Sequence, residues 1–125
     1  RRALRALNGE GGKTYSYSFT YPLHNLLGKL WGDYHAAEIP FVFQENNKRD
    51  DDKKMQHAFG QYWTNLALTG SPNGDTKGTL PTWPDFSETE ETMLMTQPLN
   101  ITSHLEHAVC DFWDKIHGRF RKARH

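Results

Sequence analysis

The sequence contains one cysteine in 125 residues, Cys110. That excludes a disulfide framework within the chain. It leaves the thiol two roles: an ordinary buried side chain, or half of a disulfide whose partner lies elsewhere. Long apolar runs are missing as well. Only 36% of the residues are hydrophobic and the mean hydropathy is −0.81. No stretch approaches the roughly 18 apolar residues that a membrane span requires. Neither charge sign is in excess, since fifteen Lys and Arg offset fifteen Asp and Glu. Such a balance offers no global field for nucleic acid or an anionic membrane. The opening residues, RRALRAL, lack the apolar h-region of a signal peptide, so no secretory leader is expected in them. The chain has no internal repeats, and its length suits one domain and no more. Two catalytic signatures are also absent: a G-x-S-x-G nucleophile elbow and a glycine-rich oxyanion loop. Ser16, Ser18, Ser71, Ser87 and Ser103 all lie outside such a context.

What is present is an uneven series of elements. Leu4 and Leu7 stand at i, i+3 spacing before Gly9, Gly11 and Gly12, which reads as the end of a helix. In KTYSYSFTY, aromatic residues alternate with Thr and Ser, a strand signal closed by Pro22. Residues 22–37 read as a loop broken by Gly28 and Gly32, and EIPFVF reads as a short helix with Pro40 near its start. The charged connection ENNKRDDDKK brings aspartates to the start of the next helix, where they favour its N-terminus. That helix carries Met55, Phe59, Tyr62, Trp63 and Leu66 on one face and ends at Gly70 and Pro72. SPNGDTKGTLP is a turn-rich loop, and TMLMT a candidate short strand. A last helix is expected from about Ser103 to His117, with Leu105, Val109, Phe112, Trp113 and Ile116 on one face and Ser103 and Glu106 in capping-box positions. Beyond it, residues 118–125 form a basic tail that reads as a frayed, solvated helix end. The aromatic strand has no good partner in this inventory, which implies that the rest of its sheet lies on another segment.

His35 carries the functional question. It lies in GDYHAAEIPFVF, three residues before Glu38, and as a lone histidine it reads either as a packed side chain or as a base. The order of motifs resolves this towards catalysis. WGDYHAAEIPFVF, QYWTNLALTGSPN, WPDF and CDFWD resemble, in sequence order, the C-terminal part of the type-B carboxylesterases, the cholinesterase-like branch of the α/β-hydrolase fold. RRALRALNGEGGKTYSYSFTY is similar to that family's helix, glycine turn and late sheet strand. The resemblance implies an α/β fold of which residues 1–125 are the C-terminal portion: a late strand, a catalytic-histidine loop and C-terminal helices. It implies carboxylic-ester hydrolysis through an acyl-enzyme, with His35 as the triad base and no metal or organic cofactor. The nucleophile serine, the acid and the oxyanion hole would then come from an N-terminal portion of the same hydrolase, and the chain alone would be inactive. The family also includes adhesion and storage members that lack a triad group, so the rival reading is a catalytically silent interaction domain. A G-x-S-x-G in the companion segment discriminates the two.

The chemistry explains why a histidine is needed. A serine hydroxyl is a weak nucleophile near neutral pH, and an imidazole can take its proton and return it to the departing alcohol. A carboxylate on the other ring nitrogen fixes the tautomer. Glu38 is too local for that part and is read as a partner of nearby backbone or of a basic group elsewhere. Trp31, beside the histidine loop, is read as packing or as lining a substrate pocket. Trp63, Trp83 and Trp113 are assigned to the core. The resemblance places a disulfide at Cys110, and Asn100-Ile101-Thr102 is an N-glycosylation sequon. Together they suggest the secretory lumen or secretion. His104, His107 and Cys110 have the spacing H-x-x-H-x-x-C, which zinc can use. Steps of three on a continuous helix drift off one face, however, and the set is read as structural.

Overall fold

The computed structural model describes residues 4, 6–7, 11–24, 28, 30, 32–45, 49–74 and 78–122, of which 118–122 are described by backbone alone. Strand β1 is Tyr17–Phe19, helix α1 is Ile39–Val42 and helix α2 is Asp50–Thr69. Helix α3 (Phe86–Thr89), strands β2 (Glu91–Met95) and β3 (Asn100–Ser103), and helix α4 (His107–Lys122) complete the order. The three strands form one sheet in the order β1-β2-β3. β1 runs parallel to β2, with Tyr17 opposite Met93, and β3 runs antiparallel to β2. The aromatic strand therefore has its partner within the chain, in the TMLMT segment. That corrects the expectation of an orphan strand.

Helix α2 is the frame. Asp50, Asp51 and Asp52 occupy its first turn, against the positive end of the helix dipole. Gly70 ends it in a left-handed conformation at φ 76°, where its N–H bonds the Leu66 carbonyl at 2.9 Å. Met55 and Phe59 are fully buried, Tyr62 nearly so, and Trp63 packs against the same cluster, whereas Leu66 at the far end is exposed. Asp52 faces inward and accepts a 2.7 Å bond from the Tyr21 hydroxyl. Burial first, and then this carboxylate, push the Tyr21 phenol well above its ordinary pKa. Tyr21→Phe removes the donor and leaves a buried acceptor unsatisfied. The expected loss is about 1–3 kcal/mol of stability by urea denaturation.

The loop after α2 is closed by side-chain amides. Asn73 donates to the Trp83 carbonyl at 2.9 Å and accepts from its N–H at 2.7 Å, so one amide mimics a strand pairing. Asn65 donates to the Pro72 carbonyl at 3.0 Å and Tyr62 to the Pro81 carbonyl at 2.7 Å. Trp83, held this way, packs edge-on against Tyr15, Tyr17 and Tyr62 and donates from its indole to the Ser16 carbonyl at 3.1 Å. Asp85 caps α3 through the Ser87 N–H and also accepts from the Thr14 N–H.

The C-terminal part differs from expectation. Residues Asn100–Ser103 are a strand, so Ser103 caps no helix, and Glu106 has a left-handed φ of 54°. Both break the expected capping box, and α4 begins only at His107. Its backbone continues to Lys122, through most of the basic tail. Val109, Phe112 and Trp113 are more than half exposed, so Trp113 is not part of this core. Leu4, Ala6 and Leu7 are helical, as are Gly28 and Leu30 within the expected loop. Trp31 lies outside the described residues. No described helix is long and apolar enough to cross a membrane.

Candidate active site

The histidine segment follows β1 and precedes α1. Its two ends are anchored in the core, at Tyr21 before it and at Ala37 and Phe41 after it, all at least nine-tenths buried. Between them the chain turns sharply. Gly32 and Ala36 both adopt left-handed φ values, 62° and 67°. The Ala37 N–H bonds the Tyr34 carbonyl at 3.1 Å, and the Ile39 N–H bonds the Ala36 carbonyl at 3.2 Å. Tyr34 packs against the core, and the turn leaves His35 exposed at its outer edge. A base needs this combination: a fixed backbone, and an imidazole whose ring nitrogens remain open to a substrate-side proton and an orienting carboxylate.

Among the described residues, His35 makes no hydrogen bond or ion pair. Glu38, three residues on, lies near Tyr17: burial first, and then the negative charge of Glu38, raise the Tyr17 phenol above its ordinary pKa. Three of the serines have hydrogen-bonded hydroxyls. Ser16 accepts from Thr92 at 3.2 Å, Ser71 accepts from the Asn73 N–H at 3.3 Å, and Ser87 donates to Asp85 at 2.5 Å. Among the described residues, no serine is hydrogen-bonded to His35.

A family model, Carboxylesterase family, matches residues 1–113. The chain belongs to the carboxylesterase family. Among its relatives, acetylcholinesterase of Gallus gallus is 34% identical over 114 residues, covering 85% of this chain and 15% of the relative. Acetylcholinesterase of Danio rerio is 33% identical over 116 residues, covering 84% of this chain and 18% of the relative. The fold agrees with solved carboxylesterases. A Geobacillus stearothermophilus carboxylesterase superposes with a TM-score of 0.67 at 22% identity, over 86% of this chain and 23% of that one. A thermophilic PNB esterase superposes with a TM-score of 0.63 at 22% identity, over 77% and 21%. The described sheet and helices are therefore part of an α/β-hydrolase fold, and the chain spans less than a quarter of the length of these proteins.

Within the carboxylesterase family frame, Asn100 and Cys110 lie on other elements than His35. Asn100 is exposed in β3, with its side chain accepting from the Ile101 N–H at 2.8 Å. Cys110 is a half-buried free thiol in the first turns of α4. Asn73 and Tyr17 were not singled out from sequence. Asn73 had a signal, because an asparagine after Pro in a turn can pair with backbone. Tyr17 had none, since its nearness to Glu38 is a tertiary effect.

Proposed function

We propose that this chain supplies the general base, His35, of a carboxylic-ester hydrolase working through an acyl-enzyme. The observation that carries this reading is the exposure of His35 on a turn anchored at both ends, within the family's histidine segment. In the assembled hydrolase an N-terminal portion of the same protein provides the serine, the acid and the oxyanion hole. His35 takes the serine proton as the acyl-enzyme forms, gives it to the departing alcohol, and then activates water for deacylation. The substrate is a small-molecule ester, and neither metal nor organic cofactor enters this chemistry. The exposed apolar stripe Val109, Phe112 and Trp113 supports a companion portion packed on α4.

A fluorophosphonate probe tests the reaction class directly. The assembled protein is expected to take up one equivalent, on a serine outside residues 1–125. A folded protein that stays unlabelled and hydrolyses no ester is instead a silent interaction domain.

Secretion follows from two modifications. Cys110 pairs with a cysteine outside this chain, and Asn100, exposed on a strand, carries glycan. Non-reducing peptide mapping of freshly secreted protein should recover Cys110 in a disulfide-linked pair. A free Cys110 thiol in that material removes both the disulfide and the main argument for an oxidising compartment.

A further inference from the structure

The geometry points to a zinc-class metal site formed by Glu90, His104 and His107. One donor atom from each lies within 4.8 Å of the other two. The Glu90 Oε2 and His107 Nε2 atoms are 3.4 Å apart. Two ligands held at ~2.0–2.1 Å from a tetrahedral zinc ion stand about 3.3 Å from each other, so one edge of that polyhedron already exists. The His104 ring sits edge-on to the His107 ring with centroids 4.4 Å apart, so the third donor joins the same cluster, within 4.8 Å of the other two. Side-chain rotation at His104, which is exposed, shortens the remaining edges.

The backbone explains how three residues so placed in sequence converge. On a continuous helix His104 and His107 would drift apart around the axis. His104 precedes α4, however, and has a left-handed φ of 59°, which folds it back over the first turn of the helix. Glu90 ends α3, also with a left-handed φ, 53°, and its N–H bonds the Phe86 carbonyl at 3.0 Å. The site therefore joins three separate pieces: the end of α3, the turn after β3, and the start of α4.

Two imidazoles and one carboxylate suit zinc and neighbouring divalent ions, and they leave a fourth position for water. An adjoining cavity of about 100 Å³, lined in part by Phe86, Glu90, Leu105 and His107, gives that water room. Cys110 borders the same cavity but is not one of the three converging donors. Metal entry replaces the His107–Glu90 contact with two metal–ligand bonds and clips α4 to the sheet. Nothing in this site depends on a serine or on ester hydrolysis, so its test stands apart from that reading.

The protein at its natural length is stripped with a chelator and titrated with zinc, then with cobalt(II) as a visible probe. One equivalent of zinc should bind per chain, raise the thermal midpoint by several degrees, and be replaceable by cobalt with the strong visible absorption of four-coordinate geometry. His104→Asn keeps a side chain that tolerates the left-handed backbone. It and Glu90→Gln should each weaken zinc binding at least about tenfold, the lower end of what loss of even an outer-sphere partner costs. His57→Gln, on the exposed side of α2, should bind as wild type does. Zinc binding that survives both His104→Asn and Glu90→Gln overturns the assignment, as does folded wild-type protein that takes up no zinc.

Discussion

Replacing His35 with glutamine in the assembled hydrolase should lower kcat/KM on a simple aryl ester by ~10²-fold or more, the contribution expected of a positioned acid–base group. Glutamine keeps the size and polarity of the side chain and removes its proton transfer at neutral pH. His35 is exposed and its turn is held by backbone bonds, so the unfolding midpoint should not move. His24 and His57 are also exposed and serve as controls, in the same loop and on α2. Their glutamine variants should keep activity within a few-fold. A His35→Gln variant that retains more than about a tenth of wild-type activity assigns the base to another residue. A wild-type protein without activity on any ester removes the chemistry altogether and favours the silent reading.

Phe59→Ala should cost about 3–5 kcal/mol, read from the urea midpoint at constant slope. Phe59 is fully buried at the centre of α2 and meets three rings across the sheet and helix: Tyr17 at 6.2 Å, Phe19 at 6.0 Å and Trp63 at 5.0 Å. Removing the ring deletes its transfer free energy and leaves a cavity that rigid aromatic neighbours close poorly. Typical domains are stable by only about 5–15 kcal/mol, so this one change consumes a large part of the margin. Phe43 gives the contrast, because it lies just past α1 and is 69% exposed. Phe43→Ala should change stability by about 0.5 kcal/mol or less if that surface stays in water. A loss similar to that of Phe59 would place Phe43 against a companion portion of the hydrolase.

What the sequence made legible follows from how local each signal is. The helix Asp50–Thr69 was readable because its apolar face repeats over several turns and a glycine ends it. Ile39–Val42 was readable from Pro40 at a helix start, and Glu91–Met95 from a short apolar run. The pairing of Tyr17 with Met93 was not, because register between strands so distant in sequence leaves no local mark. Strand β3 was hidden by its composition: Asn-Ile-Thr-Ser reads equally as a sequon and a helix cap, and only its partner β2 makes it a strand. The late start of α4 was hidden for a related reason, since left-handed φ values at His104 and Glu106 have no glycine to announce them. His35 was legible through the motif around it, which is contiguous. Its exposure and the nearness of Glu38 to Tyr17 are tertiary facts, and the convergence of Glu90 with two later histidines is another.

The parallel register of β1 and β2 also bears on how fast this sheet can form. Every contact between those strands joins residues on the order of seventy-five positions apart, so the chain must close a large loop before the first ladder bond forms. Helix α2 and its aromatic stripe lie inside that loop and can organise from near neighbours. The β2–β3 pair is likewise short-range. Strand β1 is then the late arrival, docking on a surface already assembled, and its edge is exposed to other chains in the interval. Loop closure depends only weakly on length, with each doubling costing about 0.6 kcal/mol. Insertions in the turn-rich segment after α2 would therefore leave the finished sheet nearly as stable.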